Sequence, residues 1–217
     1  MPVSNCDQQR VTYFTPRFSG LQVGVSFTPN YSTGGGLTTS FEDTNGLANR
    51  RLERHNVWSG GLNYTNRFGD IGVQLSAGVS AIPSLQGATA GTVGAGKVTD
   101  ASFGGTLEYG QYAIGGHYRR VNAENSVSDG SNWSVGARYT SGPVQLGIYH
   151  QQSEAEGTLT VVGKDKFSAQ QLAGSYNLGP GIDLVGALFK AKWQDETSTL
   201  ANNNSGAGAI TGIVMRF

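Results

Sequence analysis

The chain has 217 residues with 15 basic and 15 acidic side chains, and only 14% of its residues are charged, against about a quarter in soluble domains. The zero net charge offers no basic surface for nucleic acid, and no run of about 18 apolar residues predicts a transmembrane helix. The hydrophobic fraction of 37% is also low for a soluble core, while 33 glycines disfavour helices and the β-forming residues spread among them favour strands. Low charge and low hydrophobicity together are typical of a transmembrane β-barrel, whose strands alternate apolar with small or polar residues.

The turn signals and the alternation of side chains predict an all-β chain with about eleven antiparallel strands. These strands are expected at residues 9–17, 21–29, 55–67, 71–83, 101–109, 111–122, 132–141, 144–154, 166–178, 182–194 and 208–217. Short turns at 19–20, 69–70, 110, 142–143 and 179–181 alternate with long polar links at 30–54, 86–99, 124–131, 155–165 and 195–206. Short periplasmic turns on one rim and long external loops on the other characterise an outer-membrane barrel.

The period of two along each strand assigns side chains to two faces. The outward, lipid-facing set is predicted to include Val73, Leu75, Val79, Leu107, Trp133, Val135, Ile213 and Met215, and the inward set Ser76, Thr106, Arg119 and Arg138. Lys190 and Lys192 stay unassigned, because Leu188 and Trp193 have opposite parity; a bulge or a mixed face is expected there.

Aromatic residues are predicted to form two girdles at the membrane boundaries. The girdle beside the short turns would hold Phe18, Phe68, Tyr109, Tyr112, Tyr139, Tyr176 and Phe217, and the girdle near the long links would hold Tyr13, Phe27, Trp58, Tyr118, Trp133 and Trp193.

The start of the first strand and the strand number bear on whether the barrel is complete. The first predicted strand runs from the loop rim to a short turn, the strand number is odd, and no secretory signal precedes it. We therefore expect that an odd number of N-terminal strands is missing and that the 217 residues alone do not close a normal barrel.

The predicted hairpin at 10–29 reads Thr12-Tyr13-Phe14-Thr15-Pro16-Arg17-Phe18 before the turn and Val23-Gly24-Val25-Ser26-Phe27 after it. It resembles a mid-chain hairpin of the Gram-negative general porins, most closely those of alphaproteobacteria. Trp133 with its neighbours and the terminal Phe217 fit the same family. The resemblance implies that 1–217 is a single domain, the C-terminal part of a barrel of about 16 strands. It also implies an outer-membrane location, a homotrimer at full length and passive diffusion of small hydrophilic solutes and ions. About five strands and the infolded constriction loop would be absent.

In such porins, arginines on the wall face carboxylates on the infolded loop. Arg10 lies where the resembling hairpin carries one of these arginines, and its parity is opposite to that of Val11 and Tyr13. The same parity argument makes four more residues candidates to line the pore: Glu108, His117, Arg119 and Arg138. The alternative for each is a polar residue that only wets the channel wall.

The sequence contains no pattern that predicts covalent chemistry. His55, His117 and His150 lack metal-like spacing, no serine stands in a catalytic pattern, and we expect neither an enzyme nor a metal or cofactor. Residues 91–97 begin like a phosphate-binding loop, but Val98 and a predicted strand follow instead of a hydroxyl and a helix. Two alternatives remain: a small barrel serving as an anchor or adhesin, with 30–54 as its binding loop, and a soluble β-rich binding protein.

Overall fold

A computed structural model describes residues 9–31, 54–84, 96–124, 129–157, 163–197 and 203–216. Eleven strands cover most of them: β1 Val11–Phe14, β2 Leu21–Tyr31, β3 Arg54–Phe68, β4 Ile71–Ile82, β5 Val98–Tyr109, β6 Tyr112–Ala123, β7 Gly130–Ser141, β8 Val144–Ala155, β9 Asp165–Gly179, β10 Ile182–Gln194 and β11 Asn204–Met215. Within these ranges no helix is long and apolar enough to cross a lipid bilayer. The predicted number of strands is confirmed.

The strands form one antiparallel sheet in chain order, from β1 to β11. Each strand from β2 to β10 pairs with the strands before and after it, so consecutive strands form hairpins. The short turns after β5 and β7 contain Gly110 and Gly142 with φ of 55° and 53°, a conformation that other residues adopt at a cost. β1 and β11 lie at the two edges, and the described sheet is not closed.

Some strand ends differ from the prediction. β1 has four residues rather than the predicted nine, because Pro16 has no N–H to donate and β1 has only β2 as a neighbour. β5 and β11 begin earlier than predicted, at Val98 and Asn204. Asn204 and Ser205 read as loop residues, yet they pair with Trp193 and Lys192 of β10.

The strand register gives the sheet an apolar face and a polar face. Leu107, Ile114, Ala137, Ile148, Leu172 and Leu188 lie side by side in one row across β5 to β10. The face that carries this row is called the apolar face, and it also holds all eight residues predicted to point outward. Ser76, Thr106, Arg119 and Arg138 lie on the opposite, polar face, so the predicted partition is confirmed.

Aromatic rings follow the apolar face near the short turns. Tyr109, Tyr112 and Tyr139 are consecutive in one row, and the ring centroids of Tyr112 and Tyr139 are 5.2 Å apart. Near the long links Trp58 stacks at 4.7 Å on Phe27, also on the apolar face. Phe217 lies outside the described residues.

The placement of Trp193 in the second girdle is wrong. Trp193 pairs with Phe167 and Asn204 on the polar face. The register between β9 and β10 shifts only between Ile182 and Asp183, well before residues 188–193. Consequently Lys190 and Lys192 lie on the apolar face, in phase with Leu188, and no bulge separates them from it.

Candidate functional site

A concave region on the polar face holds two of the five predicted residues. Arg10 and His117 both border a cavity of about 340 Å³. Its other polar lining comes from hydroxyl and amide side chains of β1 to β5, among them Thr12, Ser26, Ser59, Asn63, Ser76 and Ser102. Small polar side chains leave open volume in front of the sheet, and they hydrate readily.

Arg119 is held by a buried carboxylate that the sequence analysis did not select. Its Nε and Nη2 donate to Oδ1 and Oδ2 of Asp100 at 2.9 and 2.8 Å, a bidentate ion pair between neighbouring strands. The Asp100 side chain is 2% exposed and that of Arg119 33%. Asp100 was missed because β5 was predicted to begin at residue 101; with β5 extended, its parity matches that of Thr106 and Glu108.

Arg138 and Glu108 form a second, more exposed ion pair. Arg138 Nη2 donates to Glu108 Oε1 at 3.2 Å, and the side chains are 51% and 34% exposed. The two residues lie on β7 and β5, with Ala113 of β6 between them in the same row. The small alanine side chain lets the longer side chains meet across the intervening strand.

Two further arginines stabilise the turn rim of the polar face. Arg17 donates to the carbonyl of Gly20 at 2.9 Å and to Asn63 Oδ1 at 3.0 Å. Arg216 pairs with Asp183 across β10 and β11. Neither was selected from the sequence, because the partner of each lies on another strand and depends on register.

The polar face changes character at the loop ends of β8 to β11. Phe167 and Trp193 lie there with ring centroids 6.2 Å apart, and Phe189 lies two rows away, beyond Ala191. Beyond them, carboxylate oxygens of Asp165, Asp195 and Glu196 lie within 4.8 Å of one another. Acidic groups at a solvent-facing rim often lie together without an ion, so this cluster assigns no metal site.

A sequence profile of the Gram-negative porins matches residues 3–192, most of the chain. The chain belongs to the Gram-negative porin family. This assigns the porin to the outer membrane and agrees with the resemblance in the hairpin at 10–29. Curated protein sequences give no match to this porin.

Solved outer-membrane proteins share the fold of this porin. OccAB4 of Acinetobacter baumannii superposes with a TM-score of 0.65 at 10% identity, over 95% of this chain and 52% of that one. OccK5 (OpdH) of Pseudomonas aeruginosa gives 0.58 at 8% identity, over 96% and 58%. The trimer form of in-vitro folded OmpT of Vibrio cholerae gives 0.53 at 17%, over 94% and 62%. The porin thus spans roughly half to three-fifths of the length of these structures, and such low identities support the fold alone.

Proposed function

We propose that this porin forms the wall of a water-filled channel through which small hydrophilic solutes and ions diffuse passively. The observation that carries the proposal is the separation of an apolar from a polar face across all eleven strands. Lipid accepts only the apolar face, whereas ion pairs such as Arg138–Glu108 are stable on a wetted face. The polar face is therefore the lumen wall in this proposal.

The functional channel is proposed to be a closed barrel larger than the described sheet. β1 and β11 each have one neighbouring strand, and an open edge in lipid leaves backbone groups without partners. The similar structures are also considerably longer than this chain. The OmpT structure is described as a trimer form, and we propose a homotrimer for the complete porin.

Selectivity in this channel would come from charged side chains rather than from bond-forming chemistry, so the porin is proposed not to be an enzyme. We propose that Arg10, Glu108, His117, Arg119 and Arg138 line the lumen. Both signs occur within this set, and Glu108, Arg119 and Arg138 are each paired with a charged side chain of another strand. Ions would therefore meet fixed local dipoles along the wall instead of one uniform charge.

Conductance in a planar bilayer tests the proposal. Glu108→Gln removes a lumen carboxylate and leaves Arg138, so the reversal potential in a KCl gradient should shift toward anion preference. The matched control, Glu154→Gln, removes the same charge from the apolar face, where Glu154 pairs with Lys164, and should leave the reversal potential unchanged. Equal shifts in both variants would contradict the lumen assignment.

The anchor or adhesin alternative predicts a different result. A barrel of that kind would migrate as a folded species on an unboiled gel and yet show no steady conductance. The proposed binding loop, 30–54, lies almost wholly outside the described residues, so the geometry gives it no support.

A further inference from the structure

Three lysines occupy the loop ends of β9 and β10 on the apolar face. Lys190 lies in a row with Gln170 and His150, and Lys192 lies in the next row with Ser168 and Gln152. Lys166 pairs with Gln194 one row further out. Lys166, Lys190 and Lys192, here called the cationic patch, are all exposed. The register thus turns three ammonium groups toward the side that faces lipid in the proposed barrel.

The height of the cationic patch places it at the membrane boundary. Lys190 and Lys192 are eight and ten residues beyond Ile182, which follows the short turn. With a rise of about 3.3 Å per residue and a strand tilt of about 40°, they lie roughly 20 and 25 Å above the turn rim. The apolar band of an outer-membrane barrel is about 25 Å tall, so the patch lies at its external edge.

Neighbouring strands place the edge of the apolar band at the same height. On β6 the apolar face becomes polar at Arg120, eight residues beyond Tyr112. On β8 the same face carries His150 and Gln152, six and eight residues beyond Val144. Strands whose apolar faces turn polar within one row of each other define one boundary zone, and the cationic patch lies in it.

Acidic residues of the described chain reach only the outer end of the cationic patch. Glu154 lies directly opposite Lys166 in the register, and its carboxylate binds Lys164 at 3.0 Å. Asp129 pairs with Arg120 at 2.6 Å, and the residues opposite Lys190 and Lys192 are all uncharged. In the part of the chain that the structure describes, neither Lys190 nor Lys192 has an ion pair or a hydrogen bond of its side chain. Lysines that lie at the membrane boundary without an acidic partner attract anionic lipid headgroups.

We propose that the cationic patch binds phosphate groups of anionic lipid headgroups in the external leaflet. Lys190 and Lys192 are two positions apart on one strand, about 7 Å, and Lys166 lies diagonally from Lys192 at a similar distance. Flexible ammonium groups at this spacing converge on one phosphate-bearing headgroup, with the hydroxyl of Ser168 between them as a further donor. The proposal rests on the lipid-facing side argued under Proposed function and on the long links being external, as the sequence predicts, but it does not require that the barrel conducts.

Binding of phosphorylated lipid A to the detergent-solubilised porin tests this proposal. K190Q/K192Q should bind about 30-fold more weakly, because each lysine near an anionic surface contributes about 1 kcal/mol. K190R/K192R should retain most of the binding. Dephosphorylated lipid A should bind weakly and equally to all variants, and inorganic phosphate should not compete at millimolar concentration, which distinguishes a headgroup site from a free-phosphate site.

Matched single variants separate the patch from net charge. K192Q should weaken lipid A binding several-fold, whereas K97Q, which removes one lysine where β5 begins on the same rim, should not. Equal losses in K192Q and K97Q, or no loss in either, would overturn the proposal. Loss of oligomer mass in K190Q/K192Q with unchanged lipid A binding would instead assign the patch to a contact between copies. Conductance recorded in parallel should be the same in all variants, so a failed channel assignment is distinguishable from a failed lipid site.

Discussion

Removing Arg119 should destabilise this porin far more than removing Arg138, although both arginines lie on the polar face and pair with a carboxylate. Arg119 satisfies an Asp100 carboxylate that is 2% exposed, through two short hydrogen bonds. Breaking a buried pair from one side costs about 3–5 kcal/mol. Because the Arg119 side chain is 33% exposed, we expect about 2–4 kcal/mol of unfolding free energy to be lost in Arg119→Gln.

Arg138→Gln is the matched control, with the same substitution on the same face. The Arg138–Glu108 pair has one bond of 3.2 Å between exposed side chains, and such pairs contribute about 0–1 kcal/mol. Urea unfolding of the porin refolded in lipid vesicles, followed by tryptophan fluorescence, measures both variants. Adding Asp100→Asn to Arg119→Gln should restore part of the stability, because a buried neutral amide costs less than an unpaired carboxylate.

If Arg119→Gln and Arg138→Gln lost the same unfolding free energy within about 0.5 kcal/mol, the reasoning would be refuted. The expected difference between them depends only on the burial of the Asp100 carboxylate. A double variant no more stable than Arg119→Gln would refute it equally.

Two further predictions concern the apolar face and the turns. Val135→Arg should cost roughly 2–4 kcal/mol of folding free energy in lipid, whereas Ser134→Arg on the polar face should cost little; similar losses would show that the faces are assigned wrongly. Gly20→Ala should lower stability more than Gly110→Ala in the same unfolding assay. Both glycines have positive φ, but only at Gly20 would the added methyl press against the carbonyl of Thr65, and a larger loss at Gly110 would contradict the turn geometry.

The two faces could be predicted from the sequence because alternation is a local property of each strand. Val135 is apolar and Ser134 polar whatever strand lies beside them, so parity alone separates them. The same argument places His117 and Arg119 on one face, and the register agrees. Strand ends were less predictable, because Asn204 has no intrinsic preference for a strand and is recruited by pairing with Trp193.

Contacts between strands could not be predicted from alternation. Asp100 meets Arg119 only because the β5–β6 register sets Ser102 beside Arg119 and brings the carboxylate within reach. Trp193 was assigned to a girdle from its position near a link, but parity with Phe189 decides its face. An aromatic residue near a rim is therefore a weaker guide than its phase along the strand.

Two aromatic rings lie against the polar face where the opposite strand has no side chain. Phe14 pairs directly with Gly24 and Phe189 with Gly208. A methyl group at Gly24 would lie 2.6 Å from Phe14 Cε1, and one at Gly208 would lie 2.5 Å from Phe189 Cζ, so each ring would have to move. With this face as the channel wall, the open width of the lumen depends on glycine rather than alanine at positions 24 and 208, as well as on charge. Substitution of Gly24 or Gly208 by alanine would push the phenyl ring of Phe14 or Phe189 into the lumen. The channel would become narrower although no charge had changed.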